Sequence, residues 1–175
     1  MAAALRGLAY TALVVLAIGL QVGPFSELTI HGVVPDLLLL VVVAVGLVHG
    51  PERAALVGFL GGLALDLAPP ADHVAGRWAL ALVVVGFLVG LVREDARQGL
   101  IKIVAVVAAA SFVGTSIFAL SGLVLDEPGV TVGRVLEVIP VAVLYDTALA
   151  LLTVPLLMAL GRRLEPDRDE WVRAA

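Results

Sequence analysis

Cysteine is absent from the 175 residues, which excludes disulfides, thiolate metal sites and cysteine nucleophiles. Charge is scarce too: Asp, Glu, Lys and Arg together make 15% of the chain, against 61% hydrophobic residues. With a mean hydropathy of +1.11, so little charge cannot clothe a water-soluble domain of this size. Lysine occurs once, as Lys102, and the other basic residues are all Arg. No basic patch stands apart from short loops, so the charge pattern excludes a nucleic-acid partner. The three histidines, His31, His49 and His73, are scattered and lack metal-ligand spacing. No Gly-rich phosphate loop or serine elbow occurs, so no cofactor is expected.

What the chain does have is six apolar runs: Leu8–Val22, Val33–His49, Ala54–Ala68, Trp78–Val92, Ile103–Leu125 and Val138–Leu160. They predict an all-α polytopic membrane protein of six spans, residues 1–161, followed by a short charged tail, 162–175. The first run follows Met1 and Arg6 and resembles a signal peptide, but five further spans favour an uncleaved helix. Basic residues fix the orientation. Of eleven, nine (Arg6, Arg53, Arg93, Arg97, Lys102, Arg162, Arg163, Arg168 and Arg173) fall at the ends and alternate breaks. Arg77 and Arg134 fall on the other side. Basic loops stay cytoplasmic, so both termini are expected there. On this reading Gly50-Pro51-Glu52-Arg53 is a tight inner turn and Arg93–Gln98 an inner loop. The outer loops are Gly23–His31, Ala68–Arg77 and Asp126–Glu137.

The middle spans are short, and that is informative. The twelve residues Leu37–Val48 give only about 18 Å of helix. Normal length requires Asp36 and Asp66 to lie within the membrane. Asp36 stands fifteen residues before Pro51, and Asp66 fifteen after it. Asp146 stands sixteen before Arg162, and Arg77 sixteen before Arg93. All four are therefore expected in one polar layer, roughly 22 Å from the inner edge. An intramembrane carboxylate costs about 2.5–3.5 kcal/mol even on lenient scales, so Arg77 is expected to pair with one or more of the aspartates. Asp36 follows Pro35 at a helix start, where its charge suits the dipole. Asp66 ends a helix, where the dipole opposes it.

Three glycine pairs at GxxxG spacing, Gly46/Gly50, Gly58/Gly62 and Gly86/Gly90, let helix backbones approach closely. Gly61 widens the second patch. Three pairs in consecutive spans predict a compact bundle packed within the chain. A catalytic aspartate dyad is the enzymatic alternative. Tyr145-Asp146 superficially matches half of the intramembrane aspartyl protease pattern, but the Gly-x-Gly-Asp half is missing, since the third span reads Gly62-Leu63-Ala64-Leu65-Asp66. No enzymatic activity is expected.

Two segments carry a family likeness. Val34-Pro35-Asp36-Leu37-Leu38-Leu39-Leu40 resembles the Pro-Asp-Leu-Leu motif of the rod shape-determining MreD family. Gly58-Phe59-Leu60-Gly61-Gly62-Leu63-Ala64-Leu65-Asp66 resembles that family's Gly-Phe-x-x-Gly-Leu-x-x-Asp segment. The likeness is strongest over Val33–Arg93. It departs at Gly76-Arg77-Trp78-Ala79-Leu80, where the family often has Gly-x-Asn-Ala-Leu, so no role of that Asn carries over. The resemblance implies a non-enzymatic inner-membrane component of the bacterial elongation complex. It further implies an MreC-like partner, with MreB, RodA and a class B penicillin-binding protein as indirect neighbours. The implied fold is that of the substrate-binding S-components of energy-coupling-factor vitamin transporters. That fold supplies the alternative function, binding of a small polar ligand at the Asp36/Asp66/Asp146/Arg77 layer.

Overall fold

Leu37–His49 is apolar on every side, and such a helix has no face to give to solvent. In the computed structural model, which describes residues 2–69 and 73–163 and side chains from Gly7 onward, this segment is the central helix. Every residue from Leu38 to Val48 is buried. The helices in chain order are α1 (Ala2–Val22), α2 (Leu37–His49), α3 (Pro51–Asp66), α4 (Arg77–Leu91), α5 (Arg93–Ala96), α6 (Leu100–Val124) and α7 (Val132–Arg163). α2 touches α1, α3, α4, α6 and α7. Leu38, Leu40, Leu47, Leu82, Val85, Val107 and Val154 form the core around it.

Among the described residues, three segments are long and apolar enough to cross a membrane: Gly7–Glu27, α6 and α7. Their outward faces are apolar as well, with Val15, Ile101, Phe112, Leu144 and Leu152 all exposed. Apolar exposure on this scale belongs against hydrocarbon. By these helices the chain is a membrane protein.

The tightest helix pair is α3 with α4. A Cβ at Gly58 would collide with the Leu82 carbonyl, and one at Gly62 would lie 2.6 Å from Ala79 Cα. From the other side, a Cβ at Gly86 would lie 2.6 Å from the Ala54 carbonyl oxygen, and one at Gly90 would strike Pro51. The two pairs therefore face one another's backbones across the antiparallel contact, and no side chain stands between them. Gly46 meets Val89 and the Gly90 backbone, and Gly61 meets the Leu38 and Val14 side chains. Gly50, at φ +90°, turns α2 into α3 under the Arg93 guanidinium, and Pro51 opens α3. A left-handed backbone and a crowded Cβ position both require glycine there.

Several boundaries differ from those expected. α7 begins at Val132, not Val138, because Thr131 Oγ1 accepts the Arg134 N–H (3.2 Å) and caps the first turn. Arg134 and Glu137 are therefore helical residues, and the preceding loop is shorter than expected. The inner loop Arg93–Gln98 contains the one-turn helix α5. α3 starts at Pro51 and stops at Asp66, because Pro suits the first helical position. α7 carries Pro140 and Pro155 in its interior, each removing one backbone donor. Arg168 and Arg173, with the rest of the tail from residue 164, lie outside the described residues, as does Asp72.

The backbone contact separates two kinds of glycine. Gly58→Ala should cost about 1–3 kcal/mol by forcing α3 from α4. Gly61→Ala should cost less, since its nearest neighbour is the end of the Leu38 side chain, 3.0 Å away. Denaturant unfolding in detergent measures both; equal losses would contradict the contact described.

Candidate functional site

An α-helix begins with four N–H groups that have no partner within it. α2 and α4 start beside buried aspartates, and the polar residues gather at those starts.

At α2, Asp36 is the N-cap, and its Oδ1 accepts the Leu39 N–H at 2.9 Å. Gln21, from the end of α1, accepts the Leu38 N–H at 3.1 Å. The Leu37 N–H turns back to Pro35 O (3.2 Å). The Asp36 N–H itself donates to Asp146 Oδ1 at 2.8 Å. All four donors are thereby satisfied, by residues from α1, α7 and the segment before α2. Ser111 of α6 donates to Asp146 Oδ2 at 2.6 Å, which brings a further helix to the same point. Asp36, Ser111 and Asp146 are 6%, 0% and 1% exposed, so these bonds form away from water. Oδ2 of Asp36 is the acceptor left over, buried without a hydrogen-bond partner among the described residues.

At α4 a single carboxylate does similar work. Asp66 Oδ2 accepts from Gly76 N (2.9 Å) and Ala79 N (3.1 Å), and Oδ1 accepts from Trp78 N (3.1 Å). Asp66 ends α3, yet it caps the start of α4, so the dipole that favours its charge is that of the following helix. The unfavourable end of α3 is outweighed by three direct N–H donors. His73 Nδ1 lies 3.7 Å from Asp66 Oδ1.

Arg77 departs from expectation. Its guanidinium forms an ion pair with Glu127, in the loop between α6 and α7. It also donates from Nε to Ser121 Oγ (3.1 Å) and from Nη2 to Phe118 O (2.6 Å). It lies 3.9 Å over the Phe118 ring, whose other neighbours are Trp78, stacked at 4.3 Å, and His73 at 5.3 Å. Gly122 leaves the room the guanidinium occupies. Glu127 Oε1 also accepts the Val74 N–H (2.7 Å), tying the loop before α4 to the α6–α7 loop. Both oxygens of the neighbouring Asp66 are held by backbone N–H groups, and Arg77 pairs with Glu127.

The four residues expected in one layer thus form two clusters: Asp36 with Asp146, and Asp66 beside Arg77. Pro35, fully buried, leads into the first. Gln21, Ser111, Ser121, Phe118 and Glu127 complete the clusters. Gln21 and Ser111 were legible as polar residues inside apolar runs. Glu127 carried no such signal, because its loop is polar throughout. Among the described residues, no three of His, Cys, Asp and Glu gather as a metal would require.

No family model, curated protein or solved structure matches the chain.

The two clusters give two tests. Asp66→Ala leaves three N–H groups without their acceptor and should cost at least about 2 kcal/mol, with Asp66→Asn intermediate. Chemical unfolding in micelles reads both, and a neutral Asp66→Ala would rule out the cap. In double-mutant cycles, the Arg77–Glu127 coupling should exceed that of Arg77–Asp66 and reach about 1 kcal/mol or more. The reverse order would restore Asp66 as the partner of Arg77.

Proposed function

We propose that this chain is a six-span, non-enzymatic component of the bacterial inner membrane, MreD-like in role and with both termini cytoplasmic. On this reading it supports cell shape and lateral peptidoglycan synthesis by holding an MreC-like partner. MreB, RodA and a class B penicillin-binding protein are its indirect neighbours. α2, α3 and α4 count as spans although they have 13, 16 and 15 residues, or about 20–24 Å. The start of α2, the end of α3 and the start of α4 lie beside the buried aspartates, inside a bundle completed by α1, α6 and α7. The fold proposed is the S-component type.

The observation that carries the reading is where the family-like residues sit. Pro35-Asp36 and the segment Gly58 to Asp66 supply the helix cap at α2, the backbone contact of α3 on α4 and the cap at α4. Residues of this kind maintain a shape. Three of the four oxygens of Asp36 and Asp146, and both of Asp66, are engaged with backbone or Ser donors, an arrangement suited to holding helices, whereas a water-activating dyad needs a free, close pair.

The test is co-expression with the MreC-like protein of the same genome and purification through a tag on the partner. The expected result is retention of this chain in detergent, lost on Asp66→Ala. Failure to co-purify, with both proteins monodisperse, would overturn the reading. Saturable binding of a vitamin-sized ligand would replace it with the transporter alternative.

A further inference from the structure

α1 is the least buried of the long helices and touches the bundle chiefly along α2, with a narrower contact on α3. Between α1 and α3 this leaves an open groove of about 430 Å³. Its floor and walls are apolar for most of their length, including Val14, Val15, Leu56, Leu60 and Ala64. One end is polar: Tyr10, His49 and Arg53 line it. Arg53 is exposed on the first turn of α3, with Nη1 3.3 Å from His49 Nδ1, and the Tyr10 hydroxyl meets His49 Nε2. Glu52, the acidic neighbour, is not among the lining residues.

Two features identify the occupant. Along α3, Ala64 lies eleven residues beyond Arg53, about 16 Å. That is about half of the roughly 30 Å hydrocarbon core, the depth of one leaflet. The cation stands only at the end where a lipid phosphate would lie, and a guanidinium has five N–H donors, of which the His49 contact uses one. A second groove, between α1 and α7, is about 150 Å³ and has no charged residue in its lining, so nothing there selects a headgroup.

We propose that the α1–α3 groove binds a phospholipid of the surrounding bilayer, one acyl chain lying along Val15, Leu60 and Ala64 and an anionic phosphate headgroup on Arg53. The contact would fasten α1, which the protein's own packing holds weakly, to α3. The proposal rests on the membrane-spanning reading and not on the identity of a partner.

Native mass spectrometry of the full chain, released from micelles carrying equal phosphatidylglycerol and phosphatidylethanolamine, tests it. The wild type should retain one phosphatidylglycerol in preference. Arg53→Gln should reduce that preference about fivefold, as expected for one basic residue at a lipid surface. Ala64→Phe, at an exposed position, fills the apolar end and should lower retention of both lipids. Equal retention by wild type and both variants would overturn the proposal, as would a dimer peak replacing the lipid adduct. Release of wild-type chain from membranes without detergent would instead refute the membrane reading itself.

Discussion

A helix that begins inside a packed bundle has no water for its first N–H groups, and each donor buried without a partner costs about 1–3 kcal/mol. This constraint governs the centre of the molecule. α2 is buried on every side and α4 is packed against α2, α3 and α6. Both start at buried polar residues. Asp36, Asp66 and Asp146 therefore share one task, although their carboxylates come from three different places in the chain: each supplies oxygen to a helix start that would otherwise be bare. Gln21 and Ser111 extend the arrangement to α1 and α6. The cost of burying these carboxyl groups is offset by their hydrogen bonds to backbone N–H and to the Ser111 hydroxyl.

The caps matter because the helices they start are pressed together. α3 and α4 touch backbone to backbone at Gly58, Gly62, Gly86 and Gly90, where dispersion over a close contact replaces the interlocking of larger side chains. Asp66 stands at the end of α3 and caps α4, so the same residue closes the α3–α4 hairpin at the point where its chain turns. The Arg77–Glu127 pair then ties that end to the α6–α7 loop. A local bond, a helix contact and a loop contact are thus coupled within a few residues.

Much of this could be read in the amino-acid order. Short apolar runs flanked by Asp36 and Asp66 indicated helices beginning and ending at buried carboxylates, and GxxxG spacing marked the faces that meet. What each aspartate faces was not legible. Sequence position gives the depth of a carboxylate but not its direction. The donors of Asp66 belong to backbone ten to thirteen residues later, a class of partner that leaves no mark in residue type. Arg77 was the conspicuous counter-charge, so it drew the aspartates in the sequence reading; Glu127 was hidden among loop residues where a charge is ordinary. The start of α7 was missed because Arg134 and Glu137 read as loop polarity, while Thr131 as a cap made them a helical first turn.

Amide hydrogen exchange, resolved residue by residue on ¹⁵N-labelled protein in micelles, tests the central claim most directly. Leu38, Leu39, Trp78 and Ala79 should exchange as slowly as the interiors of α2 and α4, since their N–H groups are held by Gln21, Asp36 and Asp66. The first turn of α6, whose N-cap Gly99 offers no side chain, is the internal reference and should exchange faster. If the first-turn amides of α2 and α4 exchange as fast as Ile101 and Lys102, the aspartates do not hold these helix starts.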